Sequence, residues 1–204
     1  MASEIDALFT ELQSASTQLD QLVAAFRERH EVVVRERAAA VSHLGYSSPR
    51  GTRLPLLPQF APPFFAGVPA AEVKAWIKEF NPPCSKAQVD AFFAGVEFVR
   101  EHGYLFSVVR RGADVDHQST QWLSERRFDA PIVAQYDLVE KESYNVSFLS
   151  APVYDGQRRV AFVLALVGFH QAFTGAEIEQ IGTRVRDACT RITTFMAPPG
   201  TPAA

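Results

Sequence analysis

The sequence predicts an α+β fold in which a mainly antiparallel sheet is flanked by helices. Apolar and β-branched runs typical of strands occur in groups, one early in the chain and one in its second half. Helical patterns fall between and after these groups rather than alternating with single strands. Residues 144–154 and 159–167 form two such runs joined by a very short turn, which only antiparallel strands allow.

An amphipathic helix is predicted over residues 1–30. Ser3, Glu4 and Asp6 suit the first turn of a helix, because acidic side chains complement the free N–H groups there. One side of this helix carries a stripe of apolar residues. The stripe must be buried, either on its own domain or against a helix of a second subunit. If a second subunit covers it, the dimerisation residues are Leu8, Leu12, Leu19 and Leu22. The full stripe follows a/d spacing: Ile5, Leu8, Leu12, Ala15, Leu19, Leu22 and Phe26.

The middle of the chain alternates between strands, loops and helices. Residues 31–37 read as a strand, with residues 38–44 as its hairpin partner or a helix, and residues 45–51 as a loop. Four prolines between Leu54 and Phe64 exclude a continuous helix there. Helices are predicted over residues 69–80 and 85–102, the second opened by a capping box and ended by Gly103. Strands follow at 104–109 and 130–139.

The last third of the chain has the clearest local signals. Asp155 and Gly156 are predicted to form a two-residue hairpin turn between strands 144–154 and 159–167. Thr174 and Glu177 form a capping box at the start of a helix, whose apolar positions from Ile178 to Phe195 share one face. The element order is typical of a GAF-like or profilin-like domain. We therefore divide the chain into a linker or dimerisation helix (1–30), a domain (31–196) and a disordered tail (197–204).

Composition narrows the class of protein. Apolar residues make up 47% and charged residues 21% of the 204 residues, which is ordinary for a globular domain. The net charge of −3 gives no basic excess for nucleic acid. The two cysteines, Cys84 and Cys189, lie far apart and suit a reducing cytoplasm. No apolar run is long enough to span a bilayer, and the N-terminus does not resemble a signal peptide.

Catalytic and metal-binding signals are weak. Asp116, His117 and Ser119 resemble parts of a hydrolytic triad, but no nucleophile-elbow motif accompanies them. A zinc site built from His117, Glu140, Glu142 or His170 lacks the usual ligand spacing. We therefore predict a protein that is not an enzyme, with no catalytic residues, metal site or cofactor.

Four segments in order resemble the effector-binding domain of IclR-type transcriptional regulators. Gly51-Thr-Arg-Leu-Pro-Leu56 is similar to the family's Gly-x-Arg-x-Pro-Leu segment, and Arg100-Glu-His-Gly-Tyr104 to its Arg-x-x-Gly-Tyr junction. Ser150-Ala-Pro-Val153 and the strand ending at Gly168 match the two strands of its closing hairpin. The resemblance covers about residues 19–196. It implies a domain that binds a small-molecule effector.

The resemblance also implies where the effector binds. The family's carboxylate-binding helix start is replaced by a proline-rich stretch, and prolines remove N–H donors. Two serines and a cysteine of the family become apolar here, so we expect an apolar or aromatic effector. The acidic residue of the pocket falls near Asp137, with Glu140 and Glu142 as alternatives. The predicted effector-binding residues are Phe60, Phe64, Phe65, Asp137, Asn145, Phe148, Ala165 and Val167.

The implied partners follow from the same resemblance. Binding would favour one arrangement of a homodimer or tetramer, and DNA would be contacted only through a winged helix-turn-helix domain that this sequence does not contain. The sequence is then either part of a longer regulator or a stand-alone sensor. The alternative function is a stand-alone dimerisation module with no ligand, whose cavity is filled by its own Phe side chains. An enzyme on this fold ranks last.

Overall fold

The fold is built on one antiparallel sheet of seven strands. The computed structural model describes residues 2–14, 19–39, 49–109 and 132–196. Within them the strand order of the sheet is β3-β2-β1-β8-β7-β4-β5, and every neighbouring pair is antiparallel. These strands are β1 (Leu19–Glu28), β2 (Glu31–Ala39), β3 (Arg53–Pro55), β4 (Leu105–Val109), β5 (Ile132–Ala134), β7 (Val146–Tyr154) and β8 (Val160–Phe169).

Five α-helices, a 3₁₀ helix and a small second sheet complete the described structure. The short strands β6 (Ser143–Tyr144) and β9 (Phe173–Thr174) pair with each other. The 3₁₀ helix covers Pro58–Phe60. The α-helices are α1 (Ala2–Ser14), α2 (Pro62–Phe65), α3 (Ala70–Lys78), α4 (Lys86–His102) and α5 (Gly175–Met196).

The two faces of the sheet are covered by different helices. One face buries Leu22, Leu164 and Leu166 with apolar residues of α1 and α5. The other face buries Ala25 and Val163 with residues of α2, α3 and α4. Because alternate residues of a strand point to opposite faces, β8 contributes to both layers. The predicted α+β class with an antiparallel sheet between helices is confirmed.

The locally encoded helix starts form as predicted. Ser85 Oγ accepts a hydrogen bond from the Gln88 N–H, while Gln88 Oε1 accepts one from the Ser85 N–H. Thr174 and Glu177 make the same reciprocal pair at α5. Gly103 ends α4 with a φ of 79°, a left-handed conformation that glycine adopts without steric cost.

The predicted N-terminal helix is wrong from residue 19 onward. The described helix covers Ala2–Ser14, residues 15–18 lie outside the described residues, and Leu19–Glu28 forms a strand between β2 and β8. The same apolar positions fit both periods: Leu22 and Phe26 continue the heptad, while Leu22, Ala24 and Phe26 alternate as a strand. Pairing on both sides of the strand outweighs the weak helical preference. A boundary at residue 30 would cut the β1–β2 hairpin.

The leucines proposed for dimerisation are covered by the chain itself. Leu8 is 4% exposed, and Leu12 and Leu22 are 0% exposed, all in the core cluster shared with α5. Of the two alternatives for the N-terminal stripe, packing on its own domain holds for these three residues. They are therefore not accessible to a second subunit in this structure. The side chain of Leu19 lies outside the described residues.

Three smaller predictions also need correction. The hairpin partner of β2 is β1 rather than residues 38–44, and the strand predicted over 130–139 is described only at Ile132–Ala134. The β7–β8 turn is longer than two residues: the positive φ falls on Arg158 at 60°, and Asp155 Oδ1 accepts hydrogen bonds from the N–H groups of Gln157 and Arg159. The predicted tail, 197–204, lies outside the described residues.

The burial of Leu12 gives the first testable prediction. Leu12→Ala leaves a cavity in the core, so we expect the free energy of unfolding to fall by about 2–5 kcal/mol in a denaturant titration. Size-exclusion chromatography with light scattering should show an unchanged oligomeric state. Thr10→Ala, on the exposed side of the same helix, is the control and should change stability far less. Loss of an oligomer without loss of stability would restore the dimerisation assignment.

Candidate functional site

The candidate site is the face of the sheet beneath the 3₁₀ helix and α2. Four strands contribute residues that lie directly opposite one another: Ser107 on β4 pairs with Phe148 on β7, which pairs with Val167 on β8, which pairs with Gln21 on β1. Directly opposed residues point to the same face of a sheet, so these side chains form one row. The adjacent row on the same face contains Ser150, Ala165 and Val23.

The 3₁₀ helix and α2 form a cover over this face. The Phe60 ring meets the Phe148 ring edge to face, with 5.0 Å between centroids. Pro58 begins the 3₁₀ helix and Pro62 begins α2, positions at which the missing proline N–H leaves no helical hydrogen bond unmade. The proline-rich stretch is thus two short helical turns rather than an extended loop.

Two contacts hold the cover against α4. Arg100 Nε donates to the Ala66 carbonyl at 2.9 Å, and Arg100 Nη2 donates to the Val68 carbonyl at 3.3 Å, just after the end of α2. A Cβ atom on Gly95 would lie 2.7 Å from Pro62 Cγ, so only glycine allows this approach of α2 to α4. These contacts give two residues of the chain, Arg100 and Gly95, a role in positioning the site.

Three buried polar atoms at the site have no hydrogen-bond partner among the described residues. They are Ser107 Oγ, Ser150 Oγ and Gln59 Nε2. Ser107 is 0% exposed and Ser150 is 3% exposed, and both serines belong to the two rows of the sheet face described above. A buried polar group without a partner costs about 1–3 kcal/mol, and native proteins therefore contain few of them. Three such atoms at one site are an unusual concentration. Gln59 lies in the 3₁₀ helix beside Phe60.

The predicted effector-binding residues divide into three groups. Phe60, Phe148, Ala165 and Val167 come together at the covered face of the sheet. Phe64 and Phe65 instead belong to a core cluster with Trp76 and Phe92, and Phe65 is 1% exposed with its ring centroid 4.5 Å from that of Trp76.

The polar candidates form the third group and lie at the surface. Asp137, Asn145 and the two alternatives Glu140 and Glu142 are all exposed. The backbone of the region is nevertheless tied to the sheet, because the Asn145 carbonyl accepts a hydrogen bond from the Val109 N–H. Tyr136 donates its hydroxyl to the Ala91 carbonyl at 2.7 Å, and burial raises the pKa of Tyr136 to about 12.

The sequence analysis did not single out Ser107, Ser150 or Gln59. The available signal was the position of the serines: each occupies an inward position of a strand whose other inward residues are apolar. Position alone does not distinguish a partnered hydroxyl from an unpartnered one, since that depends on neighbouring strands. The sequence around Gln59 gave no signal of a buried amide, because the burial of its side-chain nitrogen depends on how α2 packs on α4.

The described residues hold no group of three or more His, Cys, Asp or Glu side chains able to bind a metal ion. His170 Nε2 lies 2.7 Å from Asp20 Oδ1 and contacts neither glutamate of the imagined zinc site. Burial raises the pKa of the Cys189 thiol, which opposes a nucleophilic role. Cys84 and Cys189 are both free thiols. The triad candidates Asp116, His117 and Ser119 lie outside the described residues.

No described helix is both long enough and apolar enough to cross a bilayer.

The hydrogen bonds of Arg100 give the second prediction. Arg100→Met removes the donors to the Ala66 and Val68 carbonyls, so we expect stability to fall by about 1 kcal/mol and amide exchange to quicken at residues 64–68. The matched control is Glu97→Gln, which removes only the exposed ion pair to Arg100 and should have little effect. Equal effects of the two variants would show that the ion pair, rather than the carbonyl bonds, holds the cover.

Comparison with known proteins identifies the fold. No family model and no curated protein sequence matches the chain. Solved structures do match. An IclR transcriptional regulator from Alicyclobacillus acidocaldarius has a TM-score of 0.61 at 13% identity, and the match covers 96% of this chain and 66% of the regulator's chain. HmgR of Pseudomonas aeruginosa has a TM-score of 0.59 at 21% identity, covering 98% and 68%.

An isolated domain matches over almost its whole length. The inducer-binding domain of a PobR double mutant from Acinetobacter, solved with 3-hydroxybenzoic acid, has a TM-score of 0.58 at 13% identity and covers 95% of both chains. The chain thus spans about two thirds of the longer regulators, 66% and 68%, and nearly all of this domain. The chain has the fold of the effector-binding domain of IclR-type transcriptional regulators.

Proposed function

We propose that this chain is the effector-binding part of an IclR-type transcriptional regulator and is not an enzyme. The effector is a small molecule that binds between the sheet face and the cover formed by the 3₁₀ helix and α2. Four motifs at the expected places, together with the fold, support membership of this class. In the second motif, Arg100 anchors the cover and Gly103 ends α4, so the motif has a physical role at the site.

The observation that carries the proposal is the set of unpartnered buried hydroxyls. Ser107 Oγ and Ser150 Oγ lie on adjacent rows of the covered face without a partner among the described residues. An effector that supplies a hydrogen-bonding group would offset the free energy these atoms cost in the unliganded protein. The effector therefore carries at least one polar oxygen or nitrogen that reaches the serines.

The rest of the effector is apolar or aromatic. Phe60, Phe148, Ala165 and Val167 supply carbon surface around the serines, and an aromatic ring can pack against the two phenylalanines. On β4, β7 and β8 the side chains of the two rows are uncharged, and the first charged residue in them is Arg37 on β2, opposite Val23. An ionised carboxylate placed against the serines would therefore lack a counter-charge beside it. We therefore propose that a neutral hydroxyl or carbonyl, rather than a carboxylate, faces Ser107 and Ser150.

The regulatory part of the proposal concerns the cover. A molecule bound beneath Phe60 changes the position of the 3₁₀ helix and α2, because their contact with the sheet runs through the Phe60–Phe148 pair. In a homodimer or tetramer this shift favours one arrangement of subunits over another. A winged helix-turn-helix domain outside this sequence would then contact DNA.

One observation favours a second candidate, a dimerisation module without a ligand. The Phe60 ring already contacts Phe148, so the protein fills part of the covered space with its own side chain. In that case Ser107 and Ser150 would remain unpartnered in the working protein. The two candidates differ in whether any small molecule stabilises the chain.

The third prediction tests the proposed function with three related compounds. The probes are methyl 3-hydroxybenzoate, methyl benzoate and 3-hydroxybenzoate, the anion of the compound bound to the PobR domain. In isothermal titration calorimetry we expect the hydroxylated ester to bind about tenfold more tightly than the ester without a hydroxyl, since one buried hydrogen bond is gained. The charged acid should bind more weakly than its ester.

Variants at the serines separate a ligand role from a structural role. Ser150→Ala should weaken binding of methyl 3-hydroxybenzoate while raising the melting temperature of the unliganded protein, because it removes an unpartnered buried hydroxyl. Ser143→Ala, at an exposed position of β6, is the control and should change neither quantity. Absence of binding by all three compounds would favour the ligand-free module. A lower melting temperature with unchanged affinity would show that Ser150 serves the fold alone.

A further inference from the structure

The side chain of Gln59 is a third polar group at the candidate site, in addition to the two serines. Its Nε2 atom is buried and has no hydrogen-bond partner among the described residues. The turn that carries it is anchored, because the Phe60 N–H donates to the Leu57 carbonyl at 3.0 Å and both Leu57 and Pro58 are buried. The unpartnered amide therefore belongs to a fixed part of the cover.

The 3₁₀ helix places this amide over the part of the sheet that holds the serines. Phe60, the next residue in the chain, packs on Phe148 with 5.0 Å between ring centroids, and Phe148 lies directly opposite Ser107. Ser150 follows two residues after Phe148 on the same face of β7, so the two serines are diagonal neighbours across the β4–β7 pair. The 3₁₀ helix also contacts β5, which pairs with β4. The covered space thus has two hydroxyl groups on its sheet side and an amide on its cover side.

The amide and the hydroxyls require different partners. Glutamine Nε2 only donates hydrogen bonds, whereas a serine hydroxyl both donates and accepts them. An acceptor atom is therefore the only partner that satisfies Gln59, and a neutral carbonyl oxygen is such an acceptor. A ligand that places carbon against the amide would leave the donor buried and unsatisfied, at a cost of about 1–3 kcal/mol.

The part of the chain that the structure describes offers this donor no acceptor of its own. The residues on either side of Gln59 in the sequence have apolar side chains. Two polar side chains that pack around α4 and the cover already have partners. The Tyr136 hydroxyl donates to the Ala91 carbonyl at 2.7 Å. Arg100 Nε donates to the Ala66 carbonyl at 2.9 Å. The unmet requirement of the cover is therefore for an acceptor at Gln59.

We propose that Gln59 is a specificity-determining residue whose amide donates a hydrogen bond to a carbonyl oxygen of the effector. A hydroxyl group of the same molecule then binds Ser107 and Ser150, and the aromatic ring between the two groups packs against Phe60 and Phe148. This inference rests on the proposed function, because it assigns the second polar contact of the same site. The effector class is a neutral aromatic compound that carries both a hydroxyl and a carbonyl group, as in a hydroxylated aromatic ester, amide or ketone.

The fourth prediction compares methyl 3-hydroxybenzoate with 3-sec-butylphenol, in which an alkyl group of the same shape replaces the ester. In isothermal titration calorimetry, Gln59→Met should weaken binding of the ester about tenfold, because one buried hydrogen bond is lost. Binding of 3-sec-butylphenol should be unchanged or tighter, since this ligand has no carbonyl group to accept from the amide. The difference between the two effects isolates the contact between amide and carbonyl. The melting temperature of the unliganded protein should not fall, because the variant removes an unpartnered donor.

The carbonyl stretching vibration of the bound ester gives a direct readout of the same contact. A hydrogen bond lowers the frequency of this vibration. The infrared band of isotope-labelled methyl 3-hydroxybenzoate should therefore lie lower when the ester is bound to the unmodified protein than when it is bound to Gln59→Met. Should Gln59→Met fail to fold, the band of the ester bound to the unmodified protein is compared with that of the ester dissolved in an alkane, and equal frequencies would overturn the inference.

Controls separate this inference from the proposed function. Gln180→Met, at an exposed position of α5, should change the affinity for neither ligand. If Ser150→Ala weakens binding of the ester while Gln59→Met does not, the inference is wrong and the proposed function stands. Equal weakening of both ligands by Gln59→Met would also overturn the inference, because the amide would then serve the shape of the site alone. If neither ligand binds the unmodified protein, the inference and the proposed function both fail.

Discussion

The requirement that β8 be buried on both faces governs the rest of the structure. This strand lies between β1 and β7, and its alternate residues point into two separate layers. Phe162, Leu164 and Leu166 require α1 and α5 on one side, while Val163 requires α2, α3 and α4 on the other. Ala165 and Val167 continue that second face beyond Val163, where the cover is two short helical turns instead of a long helix. The candidate site is therefore at the part of the central strand with the thinnest cover.

Local interactions determined what the sequence alone predicted well. The capping boxes at α4 and α5 and the glycine after α4 need only residues a few positions apart, and each forms as expected. The N-terminal prediction failed because Leu22 and Phe26 satisfy both a heptad and an alternating pattern. Only the hydrogen bonds offered by β2 and β8 decide between the two, and those partners are distant in the sequence.

The candidate site shows the same division. Residues of regular strands, such as Phe148 and Val167, lie beside each other, because strand pairing fixes which side chains are neighbours. Phe65 does not lie with them, because it packs with Trp76 farther along the same face of the sheet, whereas Phe60 packs on Phe148. The missing hydrogen bonds of Ser107 and Ser150 are a property of the space around them, which no residue pattern encodes.

The close approach of Pro62 to Gly95 limits how the space under the cover can change in this chain. A site that must accept a larger molecule has two routes: smaller side chains on the sheet, or a cover held farther away. Any side chain at position 95 would push α2 away from α4, because the space beside Pro62 holds only a hydrogen atom. A single codon change at Gly95 thus moves the whole cover, whereas changes on the sheet alter one contact at a time. In the proposed effector site, the space under the cover would therefore change in a single large step through α4, at a position outside the two rows of the sheet face.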